Sequence, residues 1–317
     1  MRYIQIILAL LLLATALQAE KYAGEIFQLA PGVQNQAMGN TGLTNSGSLA
    51  AGWWNPALLA VSPDSGVELM RSEHFEGLLQ QNQISAVFGV KTRASLQINH
   101  LGIDRIKLTQ LEDPADTLSN ENRPEIWKTV SNNDFILYGS LARSVSEKLQ
   151  LGLTPKLAYR NLAENYGFGF GADLGLLWEA GSGFLAAANL RDFFSTQVIW
   201  ENGTRETAIP NLDLELGYQA QILKQDIPVH VALRAQVFAD DRGAASNFEA
   251  GIFSADLHAG VSVRPVPALN VMAGWDADCF TAGLGVNWHS LGLDYAWRAG
   301  ASDALGSSQR LSLSYRW

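Results

Sequence analysis

A strict alternation of apolar and polar side chains is the sequence feature that most constrains the fold. In residues 280–289 every second side chain is apolar, and the positions between them carry Thr, Gly, Asn and His. Successive side chains of a β-strand point to opposite faces, so this period of two indicates a strand with one apolar and one polar face. The same pattern, with every charge on the polar face, recurs in residues 149–160, 212–219, 229–237, 291–298 and 311–317. The chain is therefore predicted to be all-β and antiparallel.

Weaker runs of the same period bring the prediction to about 14 strands between residues 66 and 317. In residues 248–264 the apolar phase moves from even to odd positions, which we interpret as a β-bulge inside one strand, because a bulge inserts one residue without ending the strand. The connections then alternate between short turns and longer loops, of which residues 103–133 are the longest. Short turns at one end, longer loops at the other and an even number of strands are typical of bacterial outer-membrane barrels. This arrangement puts both chain ends on the periplasmic side.

The first residues predict export. Met1-Arg2 is a short basic start, residues 4–17 are mostly apolar, and Ala19 is a small residue suited to cleavage. This pattern predicts a signal peptide over residues 1–19, cleaved near Ala19. The apolar stretch is shorter than the ~20 residues of a membrane-spanning helix, so a mature chain that crosses a membrane would do so as a closed β-barrel. A soluble β-sandwich also alternates, but 14 strands in one ring would leave a lumen too wide for side chains to fill.

Composition excludes several kinds of site. The chain has 22 Lys and Arg against 31 Asp and Glu, a net charge of -9, and it has no basic run, so no nucleic-acid partner is expected. The single Cys279 excludes an intrachain disulfide and a cysteine-built metal centre. His230 and His258 fall on the polar face of neighbouring strands, but no carboxylate spacing completes a ligand set and no Gly-x-Ser-x-Gly motif is present. We therefore expect no metal, no cofactor and no enzyme activity.

The polar face of the predicted strands carries charges of both signs. If the apolar face meets lipid, these side chains point into the lumen of a transmembrane barrel. Pairing across strands and with polar groups of the segment before the barrel is favoured over a selectivity filter. The predicted lumen-lining residues are Lys156, Arg160, Asp173, Asp213, Glu215, His230, Arg234, His258, Arg264, Asp294 and Arg298.

Residues 26–63 form an uncharged segment of 38 residues with no strand period. The segment contains large apolar side chains, among them the adjacent Trp53 and Trp54, which a solvated linker does not tolerate. We therefore predict a compact N-terminal plug over residues 20–65, inside the lumen of a barrel over residues 66–317.

Two local patterns add detail to the plug. Asn55-Pro56 is typical of a helix start, with an N-cap followed by Pro at the first helical position, and predicts a short helix through Leu59. The inward glycine stripe at residues 167–171 would leave room for close approach of the plug to the wall.

Three motifs lie in the amino-terminal segment and one at the carboxyl end: Gly24-Glu25-Ile26-Phe27-Gln28-Leu29, Ala37-Met38-Gly39-Asn40-Thr41-Gly42, Trp53-Trp54-Asn55-Pro56-Ala57-Leu58-Leu59, and residues 305–317. Together they resemble the PorV/PorQ branch of the FadL-like outer-membrane proteins. The sequence departs from that pattern at Gln34-Asn35-Gln36, where the family often carries an arginine, and at Asn40, which replaces a second glycine. The resemblance implies a 14-stranded barrel with an internal hatch, and a terminal aromatic signal, at Tyr315 and Trp317, read by the barrel-assembly machinery.

The resemblance implies two alternative functions. FadL-like proteins pass hydrophobic molecules across the outer membrane, and this is the function we favour; it needs an apolar groove beside a movable hatch. PorV-like proteins serve the type IX secretion system by handling cargo at the cell surface, which needs ordered loops with apolar patches such as those of residues 103–133. The expected partners are outer-membrane lipid and either a small hydrophobic molecule or secreted protein cargo. The residues assigned to the hatch or gate are Met38, Gly39, Gly42, Trp53, Trp54, Asn55, Pro56 and Ala57.

Overall fold

The computed structural model describes residues 24–89, 92–222, 226–300 and 306–317, and the predicted signal peptide lies outside them. The described residues contain 17 β-strands. The strands are β1 (Gly66–His74), β2 (Leu79–Phe88), β3 (Ala94–Leu111), β4 (Pro124–Ser144), β5 (Leu149–Leu162), β6 (Asn165–Gly181), β7 (Phe184–Arg191), β8 (Gln197–Trp200), β9 (Arg205–Thr207), β10 (Asn211–Ile222), β11 (Ile227–Phe238), β12 (Phe248–Ala250), β13 (Phe253–Val266), β14 (Leu269–Asp276), β15 (Cys279–Trp288), β16 (Leu291–Arg298) and β17 (Ser308–Arg316).

Fourteen of these strands form one closed antiparallel ring. The order around the ring follows the chain from β1 to β7, then β10, β11 and β13 to β17. The ring closes where β17 pairs with β1, with Arg316 opposite Gly66 and Gln309 opposite Glu73. The short strands β8, β9 and β12 extend the sheet beside β6 and β13 at the loop end. The predicted 14-stranded β-barrel is therefore confirmed.

Side chains on the outside of the ring are apolar and most of those on the inside are polar, which inverts the arrangement of a soluble protein. In β17 the outward Leu311 and Leu313 are half exposed, whereas Ser312 between them is 2% exposed. Trp275 and Trp317 lie on the outside near strand ends and are also at least half exposed. No helix among the described residues is both long enough and apolar enough to cross a membrane.

The segment before β1 lies inside the ring. Its helices are α1 (Glu25–Gln28), α2 (Val33–Ala37), α3 (Ala51–Trp54) and a 3-10 helix (Pro56–Ala60). The helix α2 packs against β14, β15 and β16, whereas α3 packs against β3 and β4 and the 3-10 helix against β4, β5 and β6. Because these two groups of strands lie on opposite sides of the ring, the segment crosses the lumen. The described residues 24–61 of this segment are termed the hatch.

Residues 103–133 form a hairpin, where the sequence suggests a loop. The strands β3 and β4 stay paired out to Leu111 opposite Pro124, so the connection is residues 112–123. The neighbours of this hairpin pair with it only as far as Gly102 on β3 and Asn132 on β4. The part beyond, residues 103–131, is thus a two-stranded ribbon that projects from the barrel. Its alternation is weak in the sequence because neither face of a free ribbon is buried.

The phase change in residues 248–264 is a hairpin turn, and the β-bulge interpretation is wrong. The short strand β12 folds back on β13, with Phe248 opposite Ala255 and Ala250 opposite Phe253. Gly251 between them has φ of 66°, the left-handed backbone that glycine adopts at no steric cost. A two-residue turn shifts the apolar phase just as a bulge does, so the two are indistinguishable in the sequence. The number of wall strands is unaffected, because only β13 belongs to the ring.

Candidate functional site: the hatch and the inner wall

Two adjacent tryptophans occupy the centre of the hatch. Trp53 and Trp54 are 2% and 0% exposed and pack edge to face, with ring centroids 5.0 Å apart. The indole Nε1 of Trp54 donates a hydrogen bond to Pro31 O at 2.9 Å. Both rings belong to one apolar cluster with Leu58 and Leu59, which are fully buried. Aromatic side chains bury large areas, so this cluster fixes the centre of the hatch in the lumen.

Asn55 joins the hatch to the wall. Its Oδ1 accepts a hydrogen bond from Ala57 N at 3.1 Å, and Pro56 is the first residue of the helix, as the sequence predicts, although the helix is of the 3-10 type. Its Nδ2 donates to Leu43 O inside the hatch and to Leu176 O of β6, at 3.1 Å and 3.0 Å. One amide therefore caps the 3-10 helix and holds it against β6.

Asp213 of β10 binds two arginines that lie on the tryptophans. Its carboxylate accepts from Arg191 of β7 and from Arg234 of β11, each at 2.6 Å. The guanidinium of Arg191 lies 3.7 Å from the centre of the Trp53 ring and donates to Trp53 O at 3.1 Å. The guanidinium of Arg234 lies 5.2 Å from the centre of the Trp54 ring. All three charges are buried, so each depends on the others for its partner.

Glu215, also on β10, holds the turn that follows α2. Its carboxylate accepts from the backbone N–H groups of Gly42 and Thr44, both at 2.8 Å, and from the Thr44 hydroxyl at 2.7 Å. The same hydroxyl lies 3.1 Å from His230 Nε2. Hydrogen bonds to an ionised carboxylate are stronger than neutral ones, so Glu215 is a firm anchor for this turn.

Lys156 of β5 lies beside α1 in a buried group of charges. Its Nζ is 2.8 Å from Asp173 Oδ1 and 2.6 Å from Asp192 Oδ1. The same ammonium lies 4.8 Å from the centre of the Phe27 ring, at a distance where cation and ring attract each other. This group links the wall to the first helix of the hatch.

The opposite side of the hatch is tied by the last strands of the barrel. Gln34 Nε2 donates to both carboxylate oxygens of Asp294 at 3.2 Å. Arg310 of β17 donates to Ala30 O at 2.6 Å. Arg310 and Arg191 are missing from the predicted lumen-lining set. Both lie at polar positions of the strand alternation, and this alternation could have identified them.

His258 and Arg298 share one carboxylate. His258 Nδ1 lies 2.9 Å from Asp276 Oδ1, and Arg298 pairs with the other oxygen. The two histidines considered together in the sequence do not meet, because the register sets His230 opposite Ser262, four residues from His258. In the described parts of the chain, no group of three or more His, Cys, Asp or Glu side chains is arranged to hold a metal ion.

Wall glycines decide where the hatch approaches the wall, and they differ from the predicted stripe. A Cβ at Gly152 or Gly175 would overlap Pro56, and one at Gly260 would overlap the backbone of Met38. The stripe at residues 167–171 meets side chains of residues 196–200 instead, because β8 pairs with β6 at this point. The expectation that the stripe makes room for the plug is therefore wrong. Which glycines face the hatch depends on strand register, which the sequence alone does not give.

An apolar cavity of about 340 Å³ lies at the loop end, between α1 and strands β2 to β5. The ion pair of Arg160 and Asp134, at 3.0 Å, is part of its lining. Its apolar lining comes from the hatch residues Ile26 and Leu29 and from the wall residues Leu79, Leu101, Ile103 and Leu162. Glu25 and Asn132 are also part of the lining, and a mostly apolar cavity of this size with a few polar groups is suited to a small hydrophobic molecule.

The closed ring and the internal hatch define a class of protein, the 14-stranded plugged β-barrel. Among solved structures, the chain is similar to the Ralstonia pickettii toluene transporter TbuX, with a TM-score of 0.62 and 12% sequence identity over 92% of this chain and 100% of that one. It is also similar to the Pseudomonas putida toluene transporter TodX, with a TM-score of 0.57 and 12% identity over 90% and 98% of the two chains.

A Pseudomonas aeruginosa FadL homologue has the same fold, with a TM-score of 0.52 and 10% identity over 90% of this chain and 98% of that one. No protein-family model matches the chain, and no curated protein matches it. At these identities the likeness shows the fold alone, and at that level the resemblance to FadL-like barrels is supported.

Proposed function

We propose that the barrel lies in the outer membrane of a Gram-negative-type bacterium and passes small hydrophobic molecules along a route closed by the hatch. The apolar cavity beside α1 carries this proposal, because it joins the loop end of the barrel to apolar side chains of the hatch. Two barrels of the same fold are toluene transporters, which supports a small apolar substrate. The apolar outer face of the wall supports a location in lipid.

A hatch that fills the lumen leaves no permanent pore, so part of it has to move. The helix α1 and the residue after it are tied by neutral hydrogen bonds, from Gln81 Nε2 to Leu29 O at 3.3 Å and from Gln236 Nε2 to Gln28 Oε1 at 3.0 Å. Such bonds contribute about 1 kcal/mol each. The one charged contact described for α1 is that of Lys156 Nζ, 4.8 Å from the Phe27 ring, whereas Arg191 lies 3.7 Å from the Trp53 ring and also donates to Trp53 O. We therefore assign the movement to α1 and the closure to the tryptophan pair.

In this proposal the short turns and both chain ends face the periplasm. Strand β1 begins opposite Arg316, so the carboxyl end and the exit of the hatch into the wall share the turn end of the barrel. Residues 1–19 would be removed on export, and Tyr315 and Trp317 would be read by the barrel-assembly machinery. Both aromatic side chains are exposed on the outer face, where such a signal is accessible.

Uptake of radiolabelled toluene by cells or liposomes that contain the mature barrel tests the transport function. The variant Leu29→Gln puts an amide into the apolar cavity and is expected to reduce uptake about tenfold, through an unfavourable polar burial of about 1–3 kcal/mol. The matched control Leu118→Gln changes a 69% exposed leucine of the ribbon and is expected to leave uptake unchanged. Native uptake no faster than that of empty liposomes would contradict the proposal.

The ribbon favours a second candidate function, a non-conducting adaptor that binds secreted protein cargo. Ile126 and Trp127 are 54% and 52% exposed on the ribbon, and exposed apolar side chains of this size favour protein contacts. The adaptor predicts a stoichiometric protein partner that co-purifies with the native barrel and is lost from Ile126→Ser/Trp127→Ser. A barrel that purifies without a protein partner and takes up toluene would exclude it.

A further inference from the structure

Two polar cavities lie inside the barrel on the side away from the apolar cavity. The loop-side polar cavity, about 340 Å³, is lined by wall side chains that include Arg234, His258, Asp276 and Arg298. The turn-side polar cavity, about 370 Å³, is lined by wall side chains that include His230, Ser262, Arg264 and Asn270. Each opens toward a different end of the barrel.

The two cavities lie along the same wall strands. On β13, His258 lines the loop-side polar cavity and Ser262 lines the turn-side polar cavity, and the inward position between them is Gly260. Four residues of strand span about 13 Å, so the linings of the two cavities are about 13 Å apart along β13. On β14 the inward position opposite Gly260 is Gly274. At this level neither strand has a side chain, and the wall does not itself separate the cavities.

The backbone of a single hatch turn fills the gap. A Cβ at Gly260 would overlap the carbonyl of Met38, and a Cβ at Gly274 would overlap the backbone N of Gly39. Gly39 itself has φ of 69° and lies against the backbone of β13 and β14, which leaves no space for a side chain. The barrier between the two polar cavities is therefore one layer of hatch backbone, the turn of residues 38–40.

Few contacts hold this turn. Gly39 N donates to Thr281 Oγ1 at 2.9 Å, and Thr281 Oγ1 donates to Ala37 O at 3.0 Å. Asn40 Nδ2 donates to Asp276 Oδ2 at 2.9 Å, and Arg234 Nη1 donates to Asn40 O at 2.8 Å. The Met38 side chain packs in a small buried cluster with Met70 and Met272, whereas Gly39 and Asn40 are held by these hydrogen bonds alone among the contacts described. A small displacement of the turn would connect the two cavities.

The loop-side polar cavity is suited to water and polar solutes. Among the described residues, buried Asn40 Oδ1 and His258 Nε2 have no protein hydrogen-bond partner, and both residues line this cavity. Buried polar atoms need a partner, and water or a polar solute in this cavity would supply one. In the turn-side polar cavity, Arg264 has the one permanent charge among the described lining residues, and a cation that lines a lumen favours anions.

We propose that the β11–β14 side of the lumen is a second permeation route, separate from the hydrophobic one, for small hydrophilic solutes with a preference for anions. The turn of residues 38–40 closes it, and displacement of that turn opens it. The barrel thus carries an apolar route beside β2 to β5 and a polar route on the opposite side.

Current across a planar lipid bilayer that contains the purified barrel tests the route. Thr281→Val removes the hydroxyl that binds the turn and keeps the side-chain shape, while Gly274→Ala pushes the turn away from β14. Both are expected to raise the KCl conductance several-fold. Gly139→Ala is the matched control, because a Cβ there meets no atom within 4 Å. Heat-dependent migration in gels verifies that each barrel is folded, and folded variants with the conductance of Gly139→Ala would overturn the proposal.

Chemical modification of the native cysteine tests whether ions pass through the loop-side polar cavity. Cys279 lines the loop-side polar cavity and is the single cysteine of the chain. A charged methanethiosulfonate reagent is expected to block most of the current through Thr281→Val and to leave Thr281→Val/Cys279→Ser unaffected. Mass spectrometry reports whether the thiol has reacted. A thiol that stays unmodified in the conducting variant, or a modified barrel with unchanged current, would mean that ions pass elsewhere and would refute the route.

The charge of the turn-side polar cavity sets the ion preference. In a KCl gradient the reversal potential of Thr281→Val is expected to indicate anion selectivity, and the added change Arg264→Glu is expected to reverse its sign. Unchanged selectivity would remove Arg264, and with it the turn-side polar cavity, from the path of the current. Toluene uptake by the same variants is expected to stay at the native rate, so the polar and the hydrophobic routes succeed or fail separately.

Discussion

The two sides of the lumen hold the hatch by different means. On the β3–β6 side, fully buried Trp and Leu side chains of α3 and the 3-10 helix pack against the wall. On the β13–β16 side, a smaller apolar cluster of Val33, Ala37 and Met38 with the wall is joined by backbone contacts of Met38 and Gly39 and a few hydrogen bonds, and a polar cavity lies at either end. Burial of apolar area dominates folding energy, whereas hydrogen bonds exchange with those of water. The first side, through α3 and the 3-10 helix, therefore contributes more to the stability of the hatch than the second side does, and the turn of residues 38–40 on the second side is the more easily displaced.

Removal of the Asp213 carboxylate is expected to have the largest effect on stability. Asp213→Ala leaves Arg191 and Arg234 buried without their partner, and breaking a buried ion pair in this way costs about 3–5 kcal/mol. Urea unfolding of the barrel in detergent, followed by tryptophan fluorescence, measures the free energy of unfolding. The control Glu73→Ala breaks a half-exposed pair with Arg71 and is expected to cost about 0.5 kcal/mol. Equal losses would show that the Asp213 cluster does not clamp the hatch.

Truncation of a hatch leucine is expected to have the second largest effect on the free energy of unfolding. Leu58→Ala removes a fully buried side chain from the β3–β6 side, where large-to-small changes cost about 2–5 kcal/mol. Leu313→Ala, on the outer face and 52% exposed, is the matched control and is expected to cost much less. If both changes lower the free energy of unfolding equally, the apolar side of the hatch is not its principal anchor.

Loss of the Asn55 amide is expected to have a smaller effect. Asn55→Ala removes the helix cap and the hydrogen bond to Leu176 O, with an expected cost of about 1–2 kcal/mol. Asn45 also accepts a backbone hydrogen bond, from Gly47 N, but at an exposed turn. Asn45→Ala is therefore expected to change the unfolding midpoint far less, and the reverse order would count against Asn55 as a link between hatch and wall.

The polar side is expected to give the smallest effect on stability. Thr281→Val removes two hydrogen bonds to the turn of residues 38–40, and the expected cost is about 0.5–1.5 kcal/mol. The same urea titration measures it. A cost above that of Leu58→Ala would reverse the proposed contrast between the two sides of the lumen.

The barrel was predictable because strand periodicity is a local property of the sequence. Residues 280–289 alternate so strictly that their two faces are evident without a structure, and the polar phase identifies side chains such as Glu215 that the structure turns inward. Partners within the hatch were not predictable. That Glu215 meets Gly42 and Thr44 depends on how a non-periodic segment folds inside the ring, which no repeat in the sequence encodes.

The lack of pairing information in the sequence also explains the three predictions that were wrong or incomplete: the bulge, the long loop and the glycine stripe. A turn at Gly251 and a bulge change the apolar phase identically, so only pairing data separate them. The ribbon of residues 103–131 has no buried face, so burial does not mark its pattern. Glycines at 152 and 260 face the hatch while those at 167–171 face β8, and this distinction follows from strand register over the whole ring.

The seam between β1 and β17 has a consequence for biogenesis. Arg310 Nη1 donates to Ala30 O, 280 residues earlier in the chain, and Arg316 Nη2 donates to Gly47 O at 3.1 Å. Contacts of such sequence separation form late, because nearly the whole chain has to be present first. The hatch, which precedes every strand of the ring in the sequence, is thus fastened by the strand that completes the ring. Because β17 both closes the ring and holds Ala30 and Gly47, we expect the hatch to reach its final position together with closure of the seam.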